Sequence, residues 1–234
     1  MKPVNEYLSI YRKQLQQLMS QITPTDASKP KTTSHRFFAA FYERVSRGGY
    51  ERNIMGPLRK EIIGQARGIV LEIGAGNGLN FAFYNPAQVQ RVEAVEPDTP
   101  MLRYASERVK TAHVPITLTQ APVEALPFAD EIFDSAVATL VFCSVTDPVH
   151  GLSEIRRVLK PGGALLLVEH VRAEGAIASR VQDIVTPLTK LLAGNCHWNR
   201  NTERAVADAG FAIQDRRDLG GVLQPVIMLR ASRS

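Results

Sequence analysis

Cysteine is scarce in this chain. Cys143 and Cys196 are the only two among 234 residues, and they lie far apart. There is no CxxC pair and no Cys/His cluster at zinc spacing. A disulfide framework and a structural zinc ion are therefore not expected, and a reducing cytoplasm is the expected compartment. Long apolar runs are missing too. The longest stretch without a charge, Ile73 to Gln90, carries three Gly, three Asn and two Gln. That composition excludes a transmembrane helix. The N-terminus shows no apolar core of a secretory signal, so none is expected. No GK[ST] triplet occurs, which excludes a P-loop. Internal repeats and low-complexity tracts are absent as well.

What remains is a globular composition, 44% hydrophobic and 22% charged. A chain of this length buries about 70% of its unfolded surface, enough for an unstapled core. The net charge is +5, with +3 in residues 1–34 and +2 in residues 214–234. Residues 35–213 are thus balanced. A nucleic-acid enzyme normally carries a basic face around its site, so a nucleic-acid partner is not expected.

Leu8, Tyr11, Leu15, Leu18 and Ile22 recur at helical spacing, and residues 23–34 read TPTDASKPKTTS, a linker. Residues 1–34 are therefore expected to be an amphipathic helix with its linker, and residues 35–234 the main domain. Helices are expected around Phe37–Val45 and Gly56–Ala66. Short apolar runs then alternate with helices: Ile69–Ile73, Val92–Val95, Ile116–Leu118, Phe133–Thr139, Ala164–Glu169, Phe211–Ile213 and Val226–Leu229. Asp98 precedes one helix, and Asp147-Pro148 opens another that Lys160-Pro161-Gly162-Gly163 closes. Alternation of this kind predicts a doubly wound α/β sheet of largely parallel strands. Leu219–Gly221 is too short for a crossover, so the last two strands should be antiparallel. Pro225 predicts a bulge or a late start to the last one.

The segment VLEIGAGNGL (70–79) carries most of the information. Gly74, Gly76 and Gly78 are expected to turn from the first strand into a helix. The dinucleotide fingerprint needs a glycine where Leu79 stands. Glu72 would oppose a pyrophosphate but suits a cationic ligand such as S-adenosylmethionine. Glu96, at the end of the second strand, is placed to accept ribose hydroxyls, a feature that NAD-binding proteins share.

The text LEIGAGNGLN (71–80), VEAVEPDTPML (92–102), VEALPFADEIFDSAVATLVFCSV (123–145) and EIRRVLKPGGALLLVEHV (154–171) resembles the class I S-adenosylmethionine-dependent methyltransferases, of the branch with the quinone C-methyltransferases. TLVFCSV, EHVRAE and GNCHWNRNT (194–202) are similar to a narrower subgroup that includes animal membrane-associated alkyl thiol methyltransferases. Residues 1–34 are too polar to carry over the apolar anchor of those relatives, so no stable membrane insertion is expected. The resemblance implies a Rossmann-like seven-stranded sheet of order 3-2-1-4-5-7-6. It implies S-adenosylmethionine as cofactor and S-adenosylhomocysteine as product. By position, Glu72, Gly74, Ala75, Gly76, Asn77, Gly78 and Asn80 would hold the methionine end. Glu96 with Pro97 and Asp98 would hold the ribose, Ala121, Val123 and Glu124 would edge the adenine, and Thr139 and Leu140 would floor the site. Pro122 stands where the quinone branch has an Asp that contacts the adenine amino group.

Methyl transfer needs alignment more than acid–base help. His170 and His197 are the candidate bases. Tyr42, Phe142, Cys196 and Trp198 are the candidate acceptor-pocket residues. The expected activity is in-line methylation of a small-molecule thiol, hydroxyl, amine or activated carbon, by a monomer or homodimer without a metal. The competing readings are a nucleic-acid or protein methyltransferase, a non-catalytic cofactor-binding regulator and an NAD-dependent oxidoreductase.

Overall fold

The computed structural model describes residues 36–192, 195–221 and 224–234. The helix and linker expected over residues 1–34 lie outside these residues. The described body begins with α1 (Arg36–Val45), a π-helical turn (Glu51–Met55) and α2 (Gly56–Ile63). Then follow β1 (Gly68–Ile73), β2 (Val89–Val95), α3 (Thr99–Val109), β3 (Ile116–Thr119) and β4 (Phe133–Thr139). The chain ends with α4 (Pro148–Val158), β5 (Leu159–His170), α5 (Ala176–Leu192), α6 (Thr202–Asp208), β6 (Phe211–Asp218) and β7 (Val226–Arg233).

The seven strands form one sheet of order β3-β2-β1-β4-β5-β7-β6. The β3, β2, β1, β4 and β5 neighbours pair in parallel, and β7 runs antiparallel to both β5 and β6. Pro225 delays β7, which starts at Val226. Asp147 caps α4 by accepting the His150 N–H, with Pro148 in the first turn.

Strand alternation divides the core between the two faces. Leu71 and Ile73 pack with Leu165, Leu167 and the α4 residues Leu152 and Ile155. Val70 packs with Leu166, Val168, the α2 residues Ile62 and Ile63, and Phe81 and Tyr84. Glu72 shares the parity of Val70, so its carboxylate enters the α2 face.

Two expectations are corrected. The run Lys160–Gly163 does not merely end α4, because β5 already includes it and the β4 register shifts there. No α-helix follows the glycine loop. The chain passes through turns and a 3₁₀ turn, Phe81–Phe83, before β2. Phe81 and Tyr84 are each 1% exposed, so this segment is fixed by burying two aromatics, and Pro86 stands where a helix would continue.

Candidate functional site

The site lies where β1, β2, β4 and β5 end. The glycine loop holds its centre. Gly74 has φ +59°, and a Cβ there would sit 2.7 Å from the Val141 side chain. Gly76 also has positive φ, but a Cβ would meet only the Gly74 carbonyl at 3.9 Å. Gly74 therefore serves packing, while Gly76 leaves an open cradle beside half-buried backbone.

Glu96 braces the cradle. Its Oε2 accepts the Gly76 N–H at 2.9 Å and its Oε1 the Asp98 N–H at 2.9 Å. Burial raises its pKa, and the two N–H donors oppose that rise. Each oxygen keeps acceptor capacity for a diol.

Glu72 is buried and its pKa is pushed up to about 7, mainly by desolvation, against hydrogen bonds from Tyr84 and Asn80. Tyr84 Oη donates to Oε2 at 2.7 Å and Asn80 Nδ2 to Oε1 at 3.1 Å. Next to it lies a cation that the sequence reading missed. Arg59, 3% exposed, donates to Glu51 at 2.7 Å, Asn80 Oδ1 at 2.9 Å and Thr139 Oγ1 at 2.7 Å. Its charge acts on Glu72 and on Tyr42, to which it is also hydrogen-bonded. The one signal in the sequence is positional: Arg59 occupies the apolar stripe of Met55, Ile62 and Ile63. Tyr84 was missed as well.

Other candidates have different duties. Asn77 Nδ2 donates to Glu43 and Ser46, and the Asn77 carbonyl accepts from Arg108, so its side chain ties the loop to the end of α1 and its main chain ties it to α3. Glu124 accepts the N–H groups of Thr146 and Asp147. Val123 belongs to the core, where Gly151 lets α4 approach it. Ala121 is buried beside it, while Pro97 is exposed and its carbonyl accepts from Gln120. Leu140 adopts φ +59°, rare for a side-chain-bearing residue, and so marks a constrained end to β4. Phe142 is fully buried in the core.

The structure separates the two histidines. His170 leaves β5 with Leu166 and Val168 on the α2 face. Burial pushes its pKa down to about 4, and Nδ1 has no protein partner. A base that weak gains little from proton transfer. His197 sits against Cys143. Its N–H donates to the Cys143 carbonyl at 2.8 Å, and its Nδ1 lies 3.1 Å from the same oxygen. A carbonyl only accepts, so Nδ1 carries the proton and Nε2 is the basic nitrogen. Burial, then Arg200, lowers the His197 pKa. Cys196 and half-buried Trp198 flank it. Glu169 is buried with its pKa pushed up to about 8, by desolvation first and then by Cys143. Its Oε1 accepts the N–H groups of Val141 and Phe142, closing the turn after β4.

The donor set suits S-adenosylmethionine. A buried carboxylate beside a buried guanidinium complements an amino-acid zwitterion, and Glu96 and the Gly76 cradle suit a ribose. Among the described residues no group of three or more His, Cys, Asp or Glu side chains is arranged to hold a metal ion. None of their helices is long and apolar enough to cross a membrane.

Residues 71–167 match the model of the methyltransferase domain family. The chain is 32% identical over 166 residues to human thiol S-methyltransferase TMT1B, covering 66% of this chain and 67% of that one. It is 33% identical over 147 residues to the rat TMT1B protein, covering 61% of this chain and 59% of the rat one, so it spans about three fifths of that relative's length. A solved geranyl diphosphate methyltransferase, in complex with GPP and sinefungin, superposes with a TM-score of 0.60 at 14% identity, covering 76% and 77% of the two chains.

Proposed function

Because the chain belongs to the class I S-adenosylmethionine-dependent methyltransferases, we propose that it methylates the sulfur of a small-molecule thiol. The observation that carries this reading is the pair of carboxylates, Glu72 and Glu96, at the ends of adjacent central strands, with the open Gly76 cradle between them. S-adenosylmethionine, when bound, supplies a methyl group already activated for in-line displacement by its sulfonium. The rest is the work of the chain. Glu72 and Arg59 receive the ammonium and carboxylate of the methionine end. Glu96 receives the ribose hydroxyls, and the backbone near Val123 edges the adenine in place of the side chain that Pro122 lacks. Trp198 covers the acceptor, and His197 Nε2 accepts the thiol proton. A thiol of pKa ~8.5 needs only modest help from a base. The relatives' name, thiol S-methyltransferase, supports sulfur over carbon, oxygen or nitrogen.

The assignment includes a cytoplasmic location, a monomer or homodimer, and no nucleic-acid partner, the last from the charge balance of residues 35–213. The test is incubation with methyl-labelled cofactor and a panel of thiols, phenols, amines and quinols. Label should pass to a thiol. Transfer only to a quinol or amine would move the assignment to that atom, and transfer only to macromolecules would overturn it.

A further inference from the structure

Two cysteines far apart in the sequence meet in the fold. Cys143 lies just after β4, and Cys196 in the connection from α5 to α6. Besides the two His197 contacts to the Cys143 carbonyl, Asn195 Nδ2 donates to the Ser144 carbonyl at 3.0 Å. Arg200 Nη1 donates to the Phe142 carbonyl at 2.6 Å and to that of Val145. These bonds clamp residues 195–200 onto residues 142–145 on either side of the cysteines. They bring Cys196 alongside Cys143, close enough for each thiol to shift the other's titration. Both are buried, with Cys143 2% exposed and Cys196 8% exposed. The Arg200 charge acts on both sulfurs. Nothing in methyl transfer requires a second thiol.

We propose that Cys143 and Cys196 are a disulfide-forming dithiol site, oxidised by low-molecular-weight disulfides through thiol–disulfide exchange. Cys196 is the attacking sulfur. It is the more exposed, and the hydrogen bond from Cys143 lowers its pKa, with Trp198 and Arg200 acting in the same direction against burial. Its thiolate attacks one sulfur of the small disulfide. That S–S bond breaks, and the first departing thiolate takes the Cys196 proton. The Cys143 sulfur then attacks Cys196 Sγ and expels the second small thiol, which takes the Cys143 proton. Two electrons pass from the protein dithiol to the small disulfide, giving one protein disulfide and two small thiols. The cross-link fixes the connection that carries His197 and Trp198 to the end of β4. Its effect on turnover rests on the proposed acceptor site. Its formation does not.

The test equilibrates the full chain in glutathione buffers of rising disulfide fraction. The protein is then quenched in acid, alkylated under denaturing conditions and weighed. The expected product is a monomer two hydrogens lighter, carrying no alkyl group and restored by dithiothreitol. Cys143→Ser should stop at a glutathione adduct on Cys196, and Cys196→Ser should stay reduced. A wild-type protein that yields only glutathione adducts or cross-linked dimers, or keeps two alkylatable thiols in excess glutathione disulfide, overturns the proposal. If the disulfide forms but leaves acceptor kinetics unchanged, the dithiol site stands and the acceptor reading of residues 195–200 falls.

Discussion

At the scale of single residues, the site depends on what burial does to charge. Glu72, with its pKa near 7, is half ionised at neutral pH and fully ionised only above it. A cationic ligand binds the carboxylate form. Affinity for S-adenosylhomocysteine, whose ammonium remains protonated below about pH 7, should therefore rise as pH rises from 5.5 to 7. Glu72→Gln should flatten that dependence, and calorimetry across the range checks both. Arg59 makes a separate prediction. If it receives the ligand carboxylate, Arg59→Met should weaken S-adenosylhomocysteine at least tenfold. It should leave 5′-methylthioadenosine, which lacks the amino-acid end, within about threefold. Equal losses for both ligands would assign Arg59 a purely structural role. Glu96→Ala removes an acceptor worth roughly 1.5–3 kcal/mol per bond at most. Cofactor affinity should fall about ten- to a hundredfold with the fold intact. Because Glu96 also braces the Gly76 and Asp98 N–H groups, the loss should lie toward the upper end.

At the scale of elements, the connection from α5 to α6 is the proposed acceptor wall. Trp198→Ala and His197→Ala should raise KM for the thiol or lower kcat, with cofactor affinity within about threefold. Unchanged kinetics in both variants would make the connection structural. The helix before it inverts the usual arrangement. α5 buries Gln182, Thr186 and Thr189, and exposes Ile177, Ile184 and Leu188. Gln182 accepts the Ala173 N–H at 2.8 Å and donates to the Val171 carbonyl at 3.2 Å. Gln182→Leu should cost about 1–3 kcal/mol for each main-chain group left without its partner, and thermal unfolding measures the loss. What was legible in the sequence follows from the same physics. β4 spans the expected residues, although Asp134 and Ser135 interrupt its apolar run. β2 starts earlier than its apolar run, since Gln90 and Arg91 are exposed and only pairing extends it. Arg59 escaped notice because burying a guanidinium depends on partners 8, 21 and 80 residues away. No local pattern encodes such partners.

At the scale of the whole molecule, both faces of one sheet are covered within residues 36–234. A chain starting at Ser34 should stay folded and bind S-adenosylhomocysteine. Insolubility, or loss of cofactor binding in calorimetry, would make residues 1–33 part of the core. The strand order and the antiparallel β7 were readable from spacing and resemblance, because short connectors leave few topologies. The histidines' separation was not, because it depends on strand parity and on where the α5–α6 connection lands.

The 3₁₀ turn after the glycine loop has an electrical consequence. A full helix there would aim a macrodipole of about half a positive charge at the cradle. A three-residue turn supplies almost none, so the charges acting on the ligand there are those of Glu72, Glu96 and Arg59. The reaction removes the ligand's sulfonium charge. The two carboxylates attract the spent ligand less than the fresh one: product should leave more readily than donor, by a margin that burial of Glu72 and Glu96 keeps nearly independent of salt.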